Sequence, residues 1–259
     1  MRMPILLLAM SAVAAAFGGS ETFGFASWNI GHFALGVKWY STISVADAPG
    51  KIAEYRAFLD KADARVIGLC EHESFVGTNN TFAIEKTVLS GYDGKAVEPG
   101  GIGRLNALYW KNAHCVSSGK VKFEKHSQHR YYRFARLKIA GREVCFVMTH
   151  LDWNTKKPGH EGDRAYQIGK LIEDLKDEPY VVIGGDFNTE SPDEYDAFFK
   201  AGFTGAHRGE LKTCPAKSPR NGIDNIFVKG FRMSDVRVQT DPTLSDHALV
   251  RCTLTFKPR

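Results

Sequence analysis

Apolar residues along this chain change period several times, and the changes divide it into alternating strands and helices. Residues 23–29 alternate apolar and small side chains and end on polar Asn29, the period of two expected of a strand. After Pro49-Gly50, the residues Ile52, Tyr55, Phe58 and Leu59 recur at helical spacing and predict a helix over 51–61. Residues 65–70 form a short apolar run closed by Glu71. Segments 106–110, 115–123, 132–139 and 143–149 read as consecutive strands, with Gly141-Arg142 as a tight turn between the last two. Ile168, Leu171, Ile172 and Leu175 mark one face of a helix over 163–175. A buried strand over 180–183 closes at Gly184-Gly185. A helix over 192–200 follows, with Ser191 as its candidate cap and Pro192 at its first position. Segments 223–228, 236–239 and 248–256 are the closing strands. Strands mixed with helices, with a run of hairpins in the middle, predict an α/β protein built on antiparallel or mixed sheets.

The N-terminus follows a different rule. Arg2 precedes the apolar run 4–10, and Ala- and Gly-rich sequence continues to Gly19. That order describes a secretory signal peptide over residues 1–20, so export to the periplasm or beyond the cell is expected, with one domain over 21–259. The run is short for a membrane span. The 5 cysteines all follow it, and an odd number leaves at least one thiol unpaired in an exported chain. Cys70, Cys145 and Cys252 fall in apolar runs and read as small core residues. No zinc-type Cys or His cluster is present. The net charge of +5 suits a polyanionic substrate but is not diagnostic, and a solvated mixed-charge surface is the favoured explanation.

Candidate chemistry gathers at strand ends. Asn29, Glu71, His150, Asp186 and Asn188 each close an apolar run, and Asp246-His247 precede the last strand. Asp186 and Asn188 lie two apart, which in extended chain aims a carboxylate and an amide into one space. With Glu71, Asn29 and Asp246 they make an oxygen-rich, thiolate-free set suited to Mg²⁺, with Mn²⁺ or Ca²⁺ as alternatives. His150 and His247 are the groups that titrate near neutral pH. Taken singly, each has a bland reading as a solvated acid, a structural histidine or a strand terminus.

Taken together, six segments in order resemble the endonuclease/exonuclease/phosphatase superfamily. They are S-W-N-I (27–30), C-E-H-E-S (70–74), T-H-L-D-W (149–153), G-G-D-F-N (184–188), I-D-N-I-F (223–227) and S-D-H (245–247). The resemblance implies a four-layer α/β/β/α sandwich of two mixed, mainly antiparallel sheets, DNase-like. It implies a metal-dependent phosphoester hydrolase in which Asn29, Glu71, Asp186 and Asp246 serve the metal and its water. In the same way it implies that Asp186 orients or deprotonates the attacking water, Asn188 steadies the phosphate, and His247 binds or protonates it. Asp224 would hold His247, and His150 matches the second histidine of the DNase-like and sphingomyelinase-like branches. Asp152 and Arg164 are weaker candidates, because either could form a surface ion pair. His32 and His72 read as structural.

Two departures narrow the branch. T-H-L-D-W replaces the tyrosine segment usual in abasic-site endonucleases, and Thr189-Glu190 replace the Tyr-Arg that follows G-D-x-N in inositol phosphatases. Residues 73–103 carry no substrate signature and are expected to form loops at the mouth of the site. The expected partner is a phosphoester: nucleic acid, lipid head group or sugar phosphate. No stable protein partner is implied, and a monomer is expected. A phosphodiesterase acting outside the cytoplasm is the leading expectation. A phospholipid or sphingolipid phosphodiesterase, with Trp39-Tyr40 and Trp153 as membrane contacts, is the alternative. A non-catalytic binding module on the same fold is the third.

Overall fold

The computed structural model describes residues 21–33, 44–76, 82–98, 105–125 and 129–258. The expected leader and Trp39-Tyr40 lie outside the described residues. Within them the chain order is β1 (Thr22–Asn29), α1 (Ala48–Ala62), β2 (Val66–His72), β3 (Phe75–Val76), β4 (Phe82–Ala83), β5 (Gly94–Ala96), β6 (Leu105–Trp110) and β7 (His114–Lys122). There follow β8 (Tyr131–Ile139), β9 (Arg142–His150), α2 (Asp163–Leu175), β10 (Val181–Asp186), α3 (Pro192–Lys200), β11 (Thr204–Gly205), β12 (Asp224–Lys229), β13 (Phe231–Gln239) and β14 (Leu249–Phe256).

Two six-stranded sheets stack face to face, one ordered β13-β14-β1-β2-β6-β5 and the other β11-β12-β10-β9-β8-β7. Each is antiparallel except for one parallel pair near its centre, β1 with β2 and β9 with β10. The layer between the sheets is filled by inward residues of both, among them Phe25, Val66, Leu108, Phe146, Val182, Ile226 and Cys252. The outer face of the first sheet is covered by Ile52, Tyr55, Phe58 and Leu59 of α1, packed on Trp28, Ile67 and Leu69. Ile168 and Leu171 of α2 and Tyr195 and Phe198 of α3 cover the second, against Val147, Ile183 and Phe227. This is the expected α/β/β/α sandwich.

Local expectations shift where tertiary packing intervenes. Helix α1 begins at Ala48, so Pro49-Gly50 lie inside its first turn, where proline's missing N–H costs nothing. Ser191 sits at the start of α3 but makes no side-chain cap hydrogen bond. The middle strands are not one run of hairpins: β7, β8 and β9 form a meander in the second sheet, while β6 belongs to the first. The Gly184-Gly185 pair does not turn the chain, because β10 continues through it to Asp186. A Cβ on Gly184 would lie 2.8 Å from Ser27 Oγ and 2.9 Å from the Phe25 ring, so this glycine lets the sheets approach closely beside the site. Strand β13 starts at Phe231, five residues before the expected 236, because a bulge between Ser234 and Arg237 interrupts its alternation.

Candidate active site

The inter-sheet layer builds the site by simple alternation. In β1 the inward series Phe23, Phe25, Ser27 continues to Asn29; in β9, Phe146 and Met148 continue to His150; in β10, Val182 and Gly184 continue to Asp186. In β12, Ile226 and Val228 share their face with Asp224. Register then aligns the polar ends: Asp186 pairs with His150 on one side and with Asp224 on the other. Glu71 breaks the pattern, since alternation would turn it away from the layer. A register shift between Leu69 and His72, with Glu71 at φ 49°, reverses the faces. Glu71 thereby enters the site, and His72 packs outward with its ring 5.9 Å from Phe33.

One pole of the site is carboxylate-rich. The Asn29 amide nitrogen donates to Asp186 Oδ2 at 3.1 Å and to Glu71 Oε1 at 3.4 Å, while its oxygen accepts from Gly31 N at 3.2 Å. Asn29 therefore steadies two acids instead of presenting its oxygen. His150 places Nε2 3.4 Å from Asp186 Oδ2 and Nδ1 3.9 Å from Glu71 Oε1. Burial, and then the neighbouring Asp224, push the Asp186 carboxyl up to about 7. Burial also works to raise Glu71, but the hydrogen bond from His32 and the surrounding imidazoles outweigh it and hold Glu71 at about 2. His32, set aside as structural in the sequence, contacts Glu71 Oε2 at 3.1 Å and Glu73 Oε1 at 2.7 Å. Burial opposes its charge, yet those two acids raise it to about 9.

The other pole is a histidine relay. His247 Nδ1 lies 2.9 Å from Asp224 Oδ2, which also accepts from Thr213 Oγ1 at 2.6 Å. Asp224 outweighs the burial penalty on His247 and raises its basicity, so the imidazole is held protonated. The far nitrogen, Nε2, is 3.9 Å from Asp186 Oδ2, linking the two poles. Asp186, Asp224 and His247 each place one potential metal-ligand atom within 4.8 Å of the others. Asp224 is engaged on one side by His247 and on the other by Thr213. Ser245 Oγ donates to the Asn29 carbonyl at 2.7 Å and accepts from His247 N at 3.1 Å, fastening the last loop to β1.

The remaining candidates stand around this core. Asn188, at φ 52°, donates its backbone N–H to Asp186 Oδ1 at 2.9 Å and its side-chain N–H to the Leu151 carbonyl at 2.9 Å. Asp246 is exposed, its carboxylate beside Gly31 at the rim. Arg164 does form the ion pair, with Glu194, but it also donates to the backbone carbonyls of Asp152 at 3.2 Å and Asn188 at 2.9 Å. It joins two site loops. Asp152 is buried against Gln167, whose side chain donates to its carboxylate at 3.2 Å. Thr213 and Cys214 were not singled out in the sequence; Cys214 Sγ lies 3.6 Å from His247 Nε2. No local signal marks either, since both reach the site only through the packing of 213–216 against 246–248. The 73–103 region, expected as loops, contributes β3, β4 and β5 and walls a cavity of about 290 Å³ with His72, Phe75, Glu98, Tyr109 and Arg133.

Comparison with known proteins agrees with this architecture. The profile of the Endonuclease/Exonuclease/phosphatase family matches residues 26–247, and the chain belongs to that family. No curated protein matches it. Among solved structures, a family protein from Bacteroides thetaiotaomicron is 18% identical with TM-score 0.68, over 93% of this chain and 100% of that one. A mannosyl-6-phosphatase from the same organism is 19% identical with TM-score 0.67, over 90% and 100%. D. rerio TDP2, complexed with a single-strand DNA product, is 16% identical with TM-score 0.68, over 90% and 98%. The likeness to these structures is one of fold, and the family as a whole comprises phosphoester hydrolases.

Proposed function

We propose that this chain is an exported, divalent-metal-dependent phosphodiesterase that directs water in line onto a phosphoester. The observation that carries the reading is the bipolar site: two carboxylates bridged by one amide, facing a histidine held protonated by a buried aspartate. The donor set fits a hard cation. Asp186 is buried and pushed up to about 7, which marks negative charge that lacks a full counterion. Glu71 and Asp186 would hold Mg²⁺, or Mn²⁺ or Ca²⁺ in its place, with Asp246 at the rim. Such an ion supplies Lewis-acid stabilisation of phosphoryl charge and a more acidic water.

The chain's own groups do the rest. Asp186 orients the attacking water and accepts its proton. His247 offers Nε2–H to a phosphoryl oxygen while Asp224 holds its Nδ1–H and stabilises its charge. His150 stands on the opposite side of Asp186 and protonates the leaving oxygen. Asn188 steadies the phosphate with its amide. Residues 2–19 support export. Trp153, 57% exposed and one residue from buried Asp152, favours a second reading in which the ester belongs to a phospholipid or sphingolipid.

The test is hydrolysis of a chromogenic phosphodiester beside its monoester, with Mg²⁺ and with EDTA. Metal-dependent turnover that prefers the diester is expected. Preference for the monoester would overturn the diesterase reading, and metal-independent turnover would overturn the assignment of Glu71 and Asp186. Liposome turnover at rates above those for DNA would select the lipid reading.

A further inference from the structure

We propose that the cavity beside the metal pole is a sugar-binding subsite, which holds the leaving alcohol of the phosphoester as a neutral, ring-shaped polyol. Its place in the reaction rests on the phosphodiesterase reading above; the chemistry of its walls does not. The cavity has a volume of about 290 Å³ and takes its walls from both sheets and from the β3–β4 pair. That is the lower end of the range for small-molecule sites, about 300–1,000 Å³, and suits a single ring.

Two wall residues tie the cavity to the catalytic groups. His72 comes next in the chain after Glu71, which faces the site. Arg133, from the second sheet, pairs across strands with Met148. His150 lies two residues farther along β9 on the same face, which makes it the diagonal neighbour of Arg133, at about 7–8 Å for such a pair. The cavity therefore lies on the His150 side of the site. In the reading above His150 protonates the leaving oxygen, so the alcohol departs toward this cavity and away from His247.

The walls are polar but electrically balanced. Glu85 is paired with Lys95, and Glu98 with Lys120 at 2.5 Å and Arg133 at 3.3 Å. Of these, two acids and two bases line the cavity, so neither an anion nor a cation meets an excess of opposite charge there. Hydroxyl groups suit such walls, because each can donate to a carboxylate and accept from an ammonium or guanidinium. His72 adds a demand of its own. The residue is 1% exposed, its Nε2 is 3.0 Å from Tyr109 Oη, and its Nδ1 is buried with no hydrogen-bond partner among the described residues. Buried polar atoms in that state are rare, and a hydroxyl in the cavity would satisfy this one. Phe75 supplies the apolar face, its ring 36% exposed at the wall. The C–H face of a sugar ring packs on such a surface while its hydroxyls turn to the polar groups. An acyl chain would strip water from the charged walls and return no hydrogen bond. A nucleobase carries polar atoms only in the plane of its ring, too few for the five charged or imidazole groups around it.

Binding is tested without metal or turnover. Saturation-transfer difference NMR in EDTA would use D-glucose, D-mannose and D-galactose as probes, beside adenine and methyl phosphate. Transfer to at least one hexose is expected, and its loss in Phe75→Ala, a half-exposed position whose truncation leaves the core intact. Transfer to no hexose, stronger transfer to adenine or methyl phosphate, or hexose transfer unchanged in Phe75→Ala would overturn the subsite. The second arm measures kcat/KM with Mg²⁺ for the 6-(methyl phosphate) of the hexose that binds, beside glycerol 3-(methyl phosphate). Both leaving alcohols are primary, so the ratio reads recognition of the alcohol. A preference of about tenfold or more for the hexose ester is expected, falling toward one in Phe75→Ala. A ratio near one in the wild type would overturn the leaving-group placement. Turnover of neither ester would overturn the phosphodiesterase reading together with that placement, while hexose binding in EDTA still decides the cavity.

Discussion

The two poles of the site solve the problem of buried charge in opposite ways. At the His247 pole each charge has its partner within the protein: imidazolium on Asp224, Asp224 on Thr213, and the loop tied through Ser245 to Asn29. At the Glu71–Asp186 pole the acids share one neutral amide and two histidines, and Asp186 is still pushed up to about 7. A buried pair that is internally satisfied is a fixed part, whereas Asp186, buried beside a second carboxylate and still pushed up, is the group whose charge a cation would stabilise. The first pole is therefore assigned to the phosphate and its protons, the second to the metal and its water.

The sharpest test of this division is His247→Ala. It is expected to lower kcat/KM by about 10²–10⁴-fold, the range for loss of a positioned proton-transfer group, while the Mg²⁺-induced rise in Tm persists. Loss of that rise would merge the two poles into one. Glu71→Gln should behave conversely, raising the Mg²⁺ needed for half-maximal activity and diminishing the metal-induced Tm shift by an easily measured margin; an unchanged metal titration would remove Glu71 from the metal pole. Thr213→Val tests the internal satisfaction of the relay. Losing a hydroxyl donated to a buried carboxylate is expected to cost about 1.5–3 kcal/mol of stability, read from denaturant titration, with a smaller drop in kcat than His247→Ala.

The smallest effect expected is in pH dependence. Asp186 ordinarily titrates at 3.8 and is raised to about 7 in the folded, metal-free chain. Between those values the folded state binds the extra proton, so this group's contribution to stability is full below 3.8 and is lost as pH rises through about 7. Glu71 has the opposite sign: lowered from 4.5 to about 2, it stabilises above 4.5 and loses that contribution as pH falls through about 2. His72, buried and lowered to about 3, works against Asp186 over the same range. The test is therefore the difference in Tm in EDTA between wild type and Asp186→Asn, which should shrink from pH 4 toward 7. A difference that stays constant over that range would show that Asp186 is already compensated.

Most of the strands, and the polar residues that stand at their ends, were legible from the chain alone. Apolar alternation ends on Asn29, His150 and Asp186, and a period of two is a local property that needs no partner to be read. The helix over 163–175 was legible to its boundaries for the same reason. Other features depended on neighbours. Glu71 reaches the site only because a bulge reverses the faces of β2, and bulges arise from pairing with another strand. Gly184 read as a turn because a glycine's freedom is visible in sequence, whereas the opposing sheet that requires its missing side chain is not. His32 looked structural because its partners, Glu71 and Glu73, are about forty residues away.

The sequence by itself determined the long strands, the apolar face of most of them, and which acids, amides and histidines stand at their ends, because these follow from side-chain chemistry and backbone period; the short strands β3, β4, β5 and β11 it did not mark. Only the tertiary structure decided which of those ends meet, that Arg164 joins two loops, that Thr213 completes the relay and that a thiol lies against its histidine. Those are distances between segments far apart in the chain, set by sheet register and by the packing of one sheet on the other.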